Sequence, residues 1–233
     1  MGRGEGVGKK GSGEASTRSR AGVRACVLLS TLLCSACGSS SEKEENPCAV
    51  PRVDLLSDFS NGDGVDDGGS LYGGAYAYPD GVASNTSEHD LHVTGTVDDF
   101  GGFGFWFGSC VDASSYDGLE FELGGDPGVA GDVLLVIGTR ENDPRPPVTD
   151  LGTCTPTDPQ APYADCLPAA APIIVPENPE LVRVPFSDLS EGVPHPDVDP
   201  SQITSITFWL AWSEEFEPYD VDLRLDEVSF YSN

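Results

Sequence analysis

Apolar side chains recur at every second position through much of residues 101–123, GGFGFWFGSCVDASSYDGLEFEL. Leu119, Phe121 and Leu123 alternate with Glu120 and Glu122, while Phe103, Phe105 and Phe107 alternate with Gly102, Gly104, Trp106 and Gly108. A period of two sends one set of side chains into a core and the other set to the opposite face, which suits a pleated sheet and not a helix. Three phenylalanines on one face anchor a core, each worth about 1.5–3 kcal/mol when fully buried. Trp106, flanked by small residues, is directed to the other face, where a ligand or a second layer has access.

The rest of the chain repeats this theme. Residues 53–59, 73–78, 90–97, 132–139, 181–186, 203–212 and 221–230 read as further strands, about nine in all. The near-continuous apolar run DVLLVIGT at 132–139 suits a strand buried on both faces. Residues 140–172 are Pro-rich and are expected to be an irregular surface excursion. No segment carries a helical period. Many short strands separated by turn residues predict an all-β fold, an antiparallel β-sandwich or jelly roll.

Residues 1–24 are basic and rich in Gly and Ser, and residues 25–37 (ACVLLSTLLCSAC) are apolar. That run is shorter than the roughly 20 residues a membrane-spanning helix needs, and its pattern is that of a secretory signal. Its end, Leu33-Cys34-Ser35-Ala36-Cys37 followed by Gly-Ser-Ser-Ser, resembles a bacterial lipobox, with Cys34 in place of the usual Leu. The resemblance implies lipidation of Cys37 and a membrane contact through that anchor only. The expected organisation is a leader at 1–36, a flexible tether at 37–50 and a binding domain at 51–233, exported to the cell envelope and monomeric. Outside the leader the chain has 6 basic and 37 acidic residues, a net of −31. Such a surface repels nucleic acid and anionic lipid, is soluble in an extracellular medium, and offers carboxylates to cations, calcium first among them.

Beyond the leader and Cys37, four cysteines remain: Cys48, Cys110, Cys154 and Cys166. An even number in an exported chain predicts two disulfides, with three possible pairings. The favoured one joins Cys154 to Cys166 within the long excursion and Cys48 to Cys110. A zinc site is disfavoured because no CxxC spacing occurs among them.

Asp58-Phe59-Ser60-Asn61-Gly62, Leu91-His92-Val93-Thr94-Gly95, residues 110–119 (CVDASSYDGL), Val184-Pro185-Phe186-Ser187-Asp188-Leu189, Asp199-Pro200-Ser201-Gln202-Ile203 and Leu225-Asp226-Glu227-Val228-Ser229-Phe230 form an ordered set. Together they resemble the galactose-binding-like jelly rolls found as carbohydrate-binding modules and in exported lipoproteins of Gram-negative soil bacteria. The resemblance spans residues 53–230. It implies a structural calcium held by Asp58 and Asp226, with Asn61 and Asp63 completing the shell; Ser60 stands where that family usually has Glu. The loop around Asp63 is not an EF-hand, since both terminal carboxylates of that motif are missing.

Sugar recognition needs an aromatic platform and polar partners in a preformed groove. Tyr76, Tyr78, Trp106 and Trp209 are the candidate rings, with Asp80 and Arg140 as polar partners. Phe208, Leu210 and Trp212 share one face, which assigns Trp212 to the core and leaves Trp209 beside Thr207 and Ala211 on the other. No GxSxG or HExxH motif is present, and His89, His92 and His195 have no nucleophile at motif spacing. The expected function is therefore non-catalytic binding of a carbohydrate or cell-surface polymer. The alternative is a surface lipoprotein with a structural or protein-interaction role.

Overall fold

The computed structural model describes residues 47–62, 64–65, 71–79, 82–86, 89–129, 131–211 and 217–233. The leader, residues 37–46 of the tether and with them the lipidation candidate Cys37 lie outside these, whereas residues 47–50 of the tether lie inside, with Cys48 buried and Ala49 bridged to Val111. Among the described residues there are eleven strands: β1 (Leu55–Ser57), β2 (Gly73–Tyr78), β3 (Val82–Asn85), β4 (Leu91–Val97), β5 (Gly101–Val111), β6 (Gly118–Asp126), β7 (Asp132–Thr139), β8 (Ala169–Ile174), β9 (Glu180–Pro185), β10 (Ile203–Leu210) and β11 (Tyr219–Tyr231). They form a six-stranded sheet in the order β3-β4-β11-β6-β9, with β1 also on β11, and a five-stranded sheet in the order β2-β5-β10-β7-β8. Every strand pair is antiparallel. The fold is an all-β sandwich of the jelly-roll kind.

The period of two decides which side chains meet between the sheets. Phe103, Phe105 and Phe107 of β5 are buried, as are Leu119, Phe121 and Leu123 of β6. Phe103 stacks on Phe208 of β10 at 5.0 Å, and Phe121 meets the same Phe208 edge-on from the opposite sheet at 5.1 Å. That trio joins the two layers through aromatic area and favourable ring geometry. Phe59, just past β1, stacks on Phe105 at 5.7 Å and closes one end of the core.

The sequence reading missed two strands. β3 buries only its first residue, Val82, so it carries almost no periodic signal. β8 (AAAPII) falls largely inside the stretch expected to be irregular, and its proline argues against a strand on sequence alone. Its burial alternates, and it is the last strand of its sheet, bridged beyond β7 only at Ala170 by Ser190 among the described residues, which explains why Pro172 is tolerated. The remainder of residues 140–168 is also not a mere surface loop, because Asn142, Asp143 and Cys166 are buried.

Two disulfides fasten the sandwich. Cys48–Cys110 ties the N-terminal approach to β5 and closes a separation of 62 residues, and Cys154–Cys166 closes one of 12. Loop-closure entropy alone gives about 4 and about 3 kcal/mol for separations of this size.

Candidate binding cleft

The outward face of the five-stranded sheet differs from its core face in one respect set by β5: two of its outward positions are Gly102 and Gly104. The register places Tyr78, Gly102 and Trp209 in one row across β2, β5 and β10, and Tyr76, Gly104 and Thr207 in the next. The glycines leave a floor without side chains, and the tyrosines lean across it. A Cβ on Gly102 would lie 2.7 Å from the Tyr78 hydroxyl oxygen. The Tyr76 hydroxyl crosses above β5 to Thr207 Oγ1 at 2.6 Å.

The rings form a connected track. Tyr76 and Tyr78 stack at 6.0 Å, Tyr78 is 5.8 Å from Phe100, and Phe100 meets Trp209 edge-on at 5.5 Å. Phe100 comes from the turn between β4 and β5 and is 37% exposed. Trp106 is 41% exposed and pairs edge-on with Tyr72 at 5.4 Å. Tyr76, Tyr78, Phe100, Trp106 and Trp209 line an open cleft of about 880 Å³.

The far wall of the cleft is the stretch expected to be irregular. Pro147, Val148, Thr149, Asp150, Leu151 and Tyr163 line it. Several bonds hold that wall in place. Buried Asn142 donates through Nδ2 to the His195 carbonyl at 2.7 Å and accepts from the His195 amide at 3.0 Å. Thr149 Oγ1 donates to the Pro144 carbonyl at 2.5 Å and accepts from the Gly152 amide at 3.1 Å. The Cys154–Cys166 disulfide closes the loop that carries Tyr163. Satisfied polar groups and a covalent tie give a loop wall the rigidity that a preformed site requires.

At the base of this wall Asp143 faces the cleft with only 6% of its surface exposed. Its Oδ2 accepts a hydrogen bond from the Thr204 hydroxyl. Burial pushes the Asp143 carboxyl up to about 6, opposed by the Thr204 bond. Burial likewise raises Tyr76, Tyr78 and Tyr163, so all three stay neutral phenols able to donate and accept hydrogen bonds. The negative charge of the carboxylate adds to the rise at both Tyr76 and Tyr163.

Of the ligand-binding candidates read from sequence, the structure brings together Tyr76, Tyr78, Trp106 and Trp209. It does not bring in Arg140, which follows the last residue of β7; its amide donates to the Gln202 carbonyl and its own carbonyl accepts from Thr153, and the side chain does not line the cleft. Asp80 and Trp212 lie outside the described residues. Phe100, Asp143, Tyr163, Thr204 and Thr207 were not singled out. A phenylalanine in a turn and one carboxylate among 37 carry no pattern that marks them.

Of the calcium candidates, Asp58, Asn61 and Asp226 lie among the described residues. Asp58 accepts from the Ser60 amide at 2.9 Å, and its hydrogen bonds with Ser60 lower its pKa. Asp226 accepts from the Glu227 amide at 2.8 Å, and burial raises its pKa. Asn61 is exposed and Asp63 lies outside the described residues. Among the described residues no group of three or more His, Cys, Asp or Glu side chains is placed to hold a metal ion.

No protein-family model matches the chain, and a search of curated proteins finds no match. Solved structures do align with it. One is a family 11 carbohydrate-binding module of a cellulosomal cellulase of Clostridium thermocellum, with 14% identity over 77% of this chain and 94% of that one and a TM-score of 0.49. A second is the family 11 module from Clostridium thermocellum in complex with a β-1,3-1,4-mixed-linked tetrasaccharide, with 15% identity over 77% of this chain and 95% of that one, also at 0.49. A third is an agarase, with 12% identity over 78% of this chain and 26% of that one and a TM-score of 0.47.

Proposed function

We propose that this domain is a non-catalytic exported module that binds a carbohydrate chain in the cleft on the five-stranded sheet. The observation that carries the reading is the ring track Tyr76–Tyr78–Phe100–Trp209 lying over the Gly102–Gly104 floor. Pyranose rings present flat C–H faces, and stacked aromatics are the surface on which such faces lose water at little cost. Hydroxyls of Tyr76, Tyr163, Thr204 and Thr207 and the Asp143 carboxyl, all lining the same cleft, provide donors and acceptors for sugar hydroxyls. An apolar cleft with a few fixed polar groups is the usual build of a small-ligand site. Export agrees with the two disulfides, which persist in oxidising compartments, and Cys37 is the proposed point of attachment to the envelope.

The test is a glycan array followed by titration calorimetry on the best ligand. Tyr78→Ala and Trp209→Ala should each weaken binding about tenfold or more, the loss expected on truncating a buried aromatic anchor. Thermal unfolding should show both variants folded, and Arg183→Ala on the opposite sheet should bind like the parent protein. Retention of no glycan by the parent domain would reject the reading in favour of a protein-contact or purely structural role.

A further inference from the structure

We infer that the cleft selects a glycan bearing free amino groups, a glucosamine-containing chain, with Asp143 as the residue that reads the charge. This inference rests on the sugar-binding reading above and adds the class of sugar.

The charge of the lining is one-sided. The ionisable acids in the cleft are Asp143 and Asp150, and among the described residues no Lys, Arg or His lines it. The Thr204 hydroxyl is the only hydrogen-bonding partner of the Asp143 carboxyl among the described residues, and that carboxyl makes no ion pair there. At neutral pH it is mostly ionised despite its burial. A buried carboxylate without a counter-ion is costly, and the natural remedy is a cation that arrives with the ligand. The rings that line the same cleft favour the same partner. An ammonium over the faces of Tyr and Trp is attracted by their quadrupoles, and more strongly where water is excluded. The field of the whole domain, with 6 basic and 37 acidic residues outside the leader, raises the local concentration of cations and disfavours anionic chains. Neutral sugars would use the ring track but would leave the Asp143 charge uncompensated. A lysine-rich peptide would answer the charge but make little use of a track of four rings.

The experiment is calorimetry on the whole domain with matched β-linked oligomers of glucosamine, N-acetylglucosamine and glucose, together with oligogalacturonate and oligolysine. The glucosamine oligomer should bind about tenfold or more tightly than its acetylated and glucose counterparts, and oligogalacturonate least. Because acetylation removes the charge on the ligand side, this comparison needs no variant. Asp143→Asn should bring the ratio of glucosamine to glucose affinity to about one. Trp209→Ala should weaken all three neutral and amino oligomers while keeping their ratio. Equal affinities for the three oligomers in the parent protein would overturn charge selection and leave sugar binding standing. Binding of none would overturn both. Oligolysine that binds as tightly as the glucosamine oligomer and displaces it would also overturn the inference, since the site would then read cations without reading sugar.

Discussion

The outer faces of the two sheets obey the same alternation and end in opposite chemistry. On the six-stranded sheet the outward side chains are mostly charged or polar and are matched across neighbouring strands. Glu120 lies opposite Arg183 and bonds its Nε at 2.7 Å. Thr96 lies opposite Asp220 and donates to it at 2.7 Å. His92 and Asp222 are hydrogen-bonded at 2.7 Å, and Arg224 reaches Asp90 at 2.6 Å. Cross-strand pairs of this kind satisfy the sheet's own polar groups. On the five-stranded sheet the outward positions of β2, β5 and β10 hold rings, glycines and small hydroxyl residues. Tyr76, Tyr78 and Trp209 are half-buried and Trp106 is exposed, so water is left on apolar surface. A face that answers its own charges has little to offer a ligand; a face that leaves rings open over glycine has much. The six-stranded sheet does have a smaller hollow of about 530 Å³ beside Asp126, Glu177, Asp222 and Arg224, but no ring lines it.

The contrast is sharpest at matched glycines. Gly104 on β5 and Gly125 on β6 each lie against a neighbouring backbone: an added Cβ would sit 2.1 Å from the Ile206 carbonyl in one case and 2.1 Å from the Asp222 carbonyl in the other. Alanine at either position should cost about 2–3 kcal/mol of stability, read by chemical denaturation. Only Gly104→Ala should also weaken ligand retention, because the β10 backbone it would displace carries Thr207, which lines the cleft. Equal binding by both variants would break the division of labour between the faces.

The next effect is on pH. The Asp143 carboxyl titrates near 6 in the folded protein against 3.8 in its ordinary state, so the folded chain holds a proton through that window that the unfolded chain has released. Stability therefore falls as pH rises from about 4 to 6, and the full cost above that range is about 3 kcal/mol. Asp143→Asn should raise stability by about 1–3 kcal/mol at pH 7, with the gain vanishing near pH 4. A pH-independent difference would mean that the cleft carboxyl is not held out of water. On the opposite face Arg183→Ala breaks a half-exposed pair, and denaturation should register a loss under about 1 kcal/mol that shrinks with added salt.

Much of the ring track could be read from the chain. Tyr76 and Tyr78 share a face by their spacing of two, and the same rule directs Trp106 and Trp209 away from the Phe103 and Phe208 side. What could not be read is everything that residues 140–168 contribute. Their prolines and lack of periodicity look the same for a loose loop and for a fixed wall. The wall is fixed by contacts distant in sequence, Asn142 with His195 and Thr204 with Asp143. Arg140, taken as a polar partner because it stands next to a strand, follows the last residue of β7; its amide bonds to Gln202 and its side chain does not line the cleft.

By itself, the amino-acid order determined the layered architecture and the sidedness of its rings, because side-chain direction in a strand is a local property with a period of two. The tertiary structure alone decided that a proline-rich connection walls the ring-bearing face and sets a buried carboxyl in one cleft with three tyrosines. That outcome depends on strand register and long-range hydrogen bonds, and no local period encodes either.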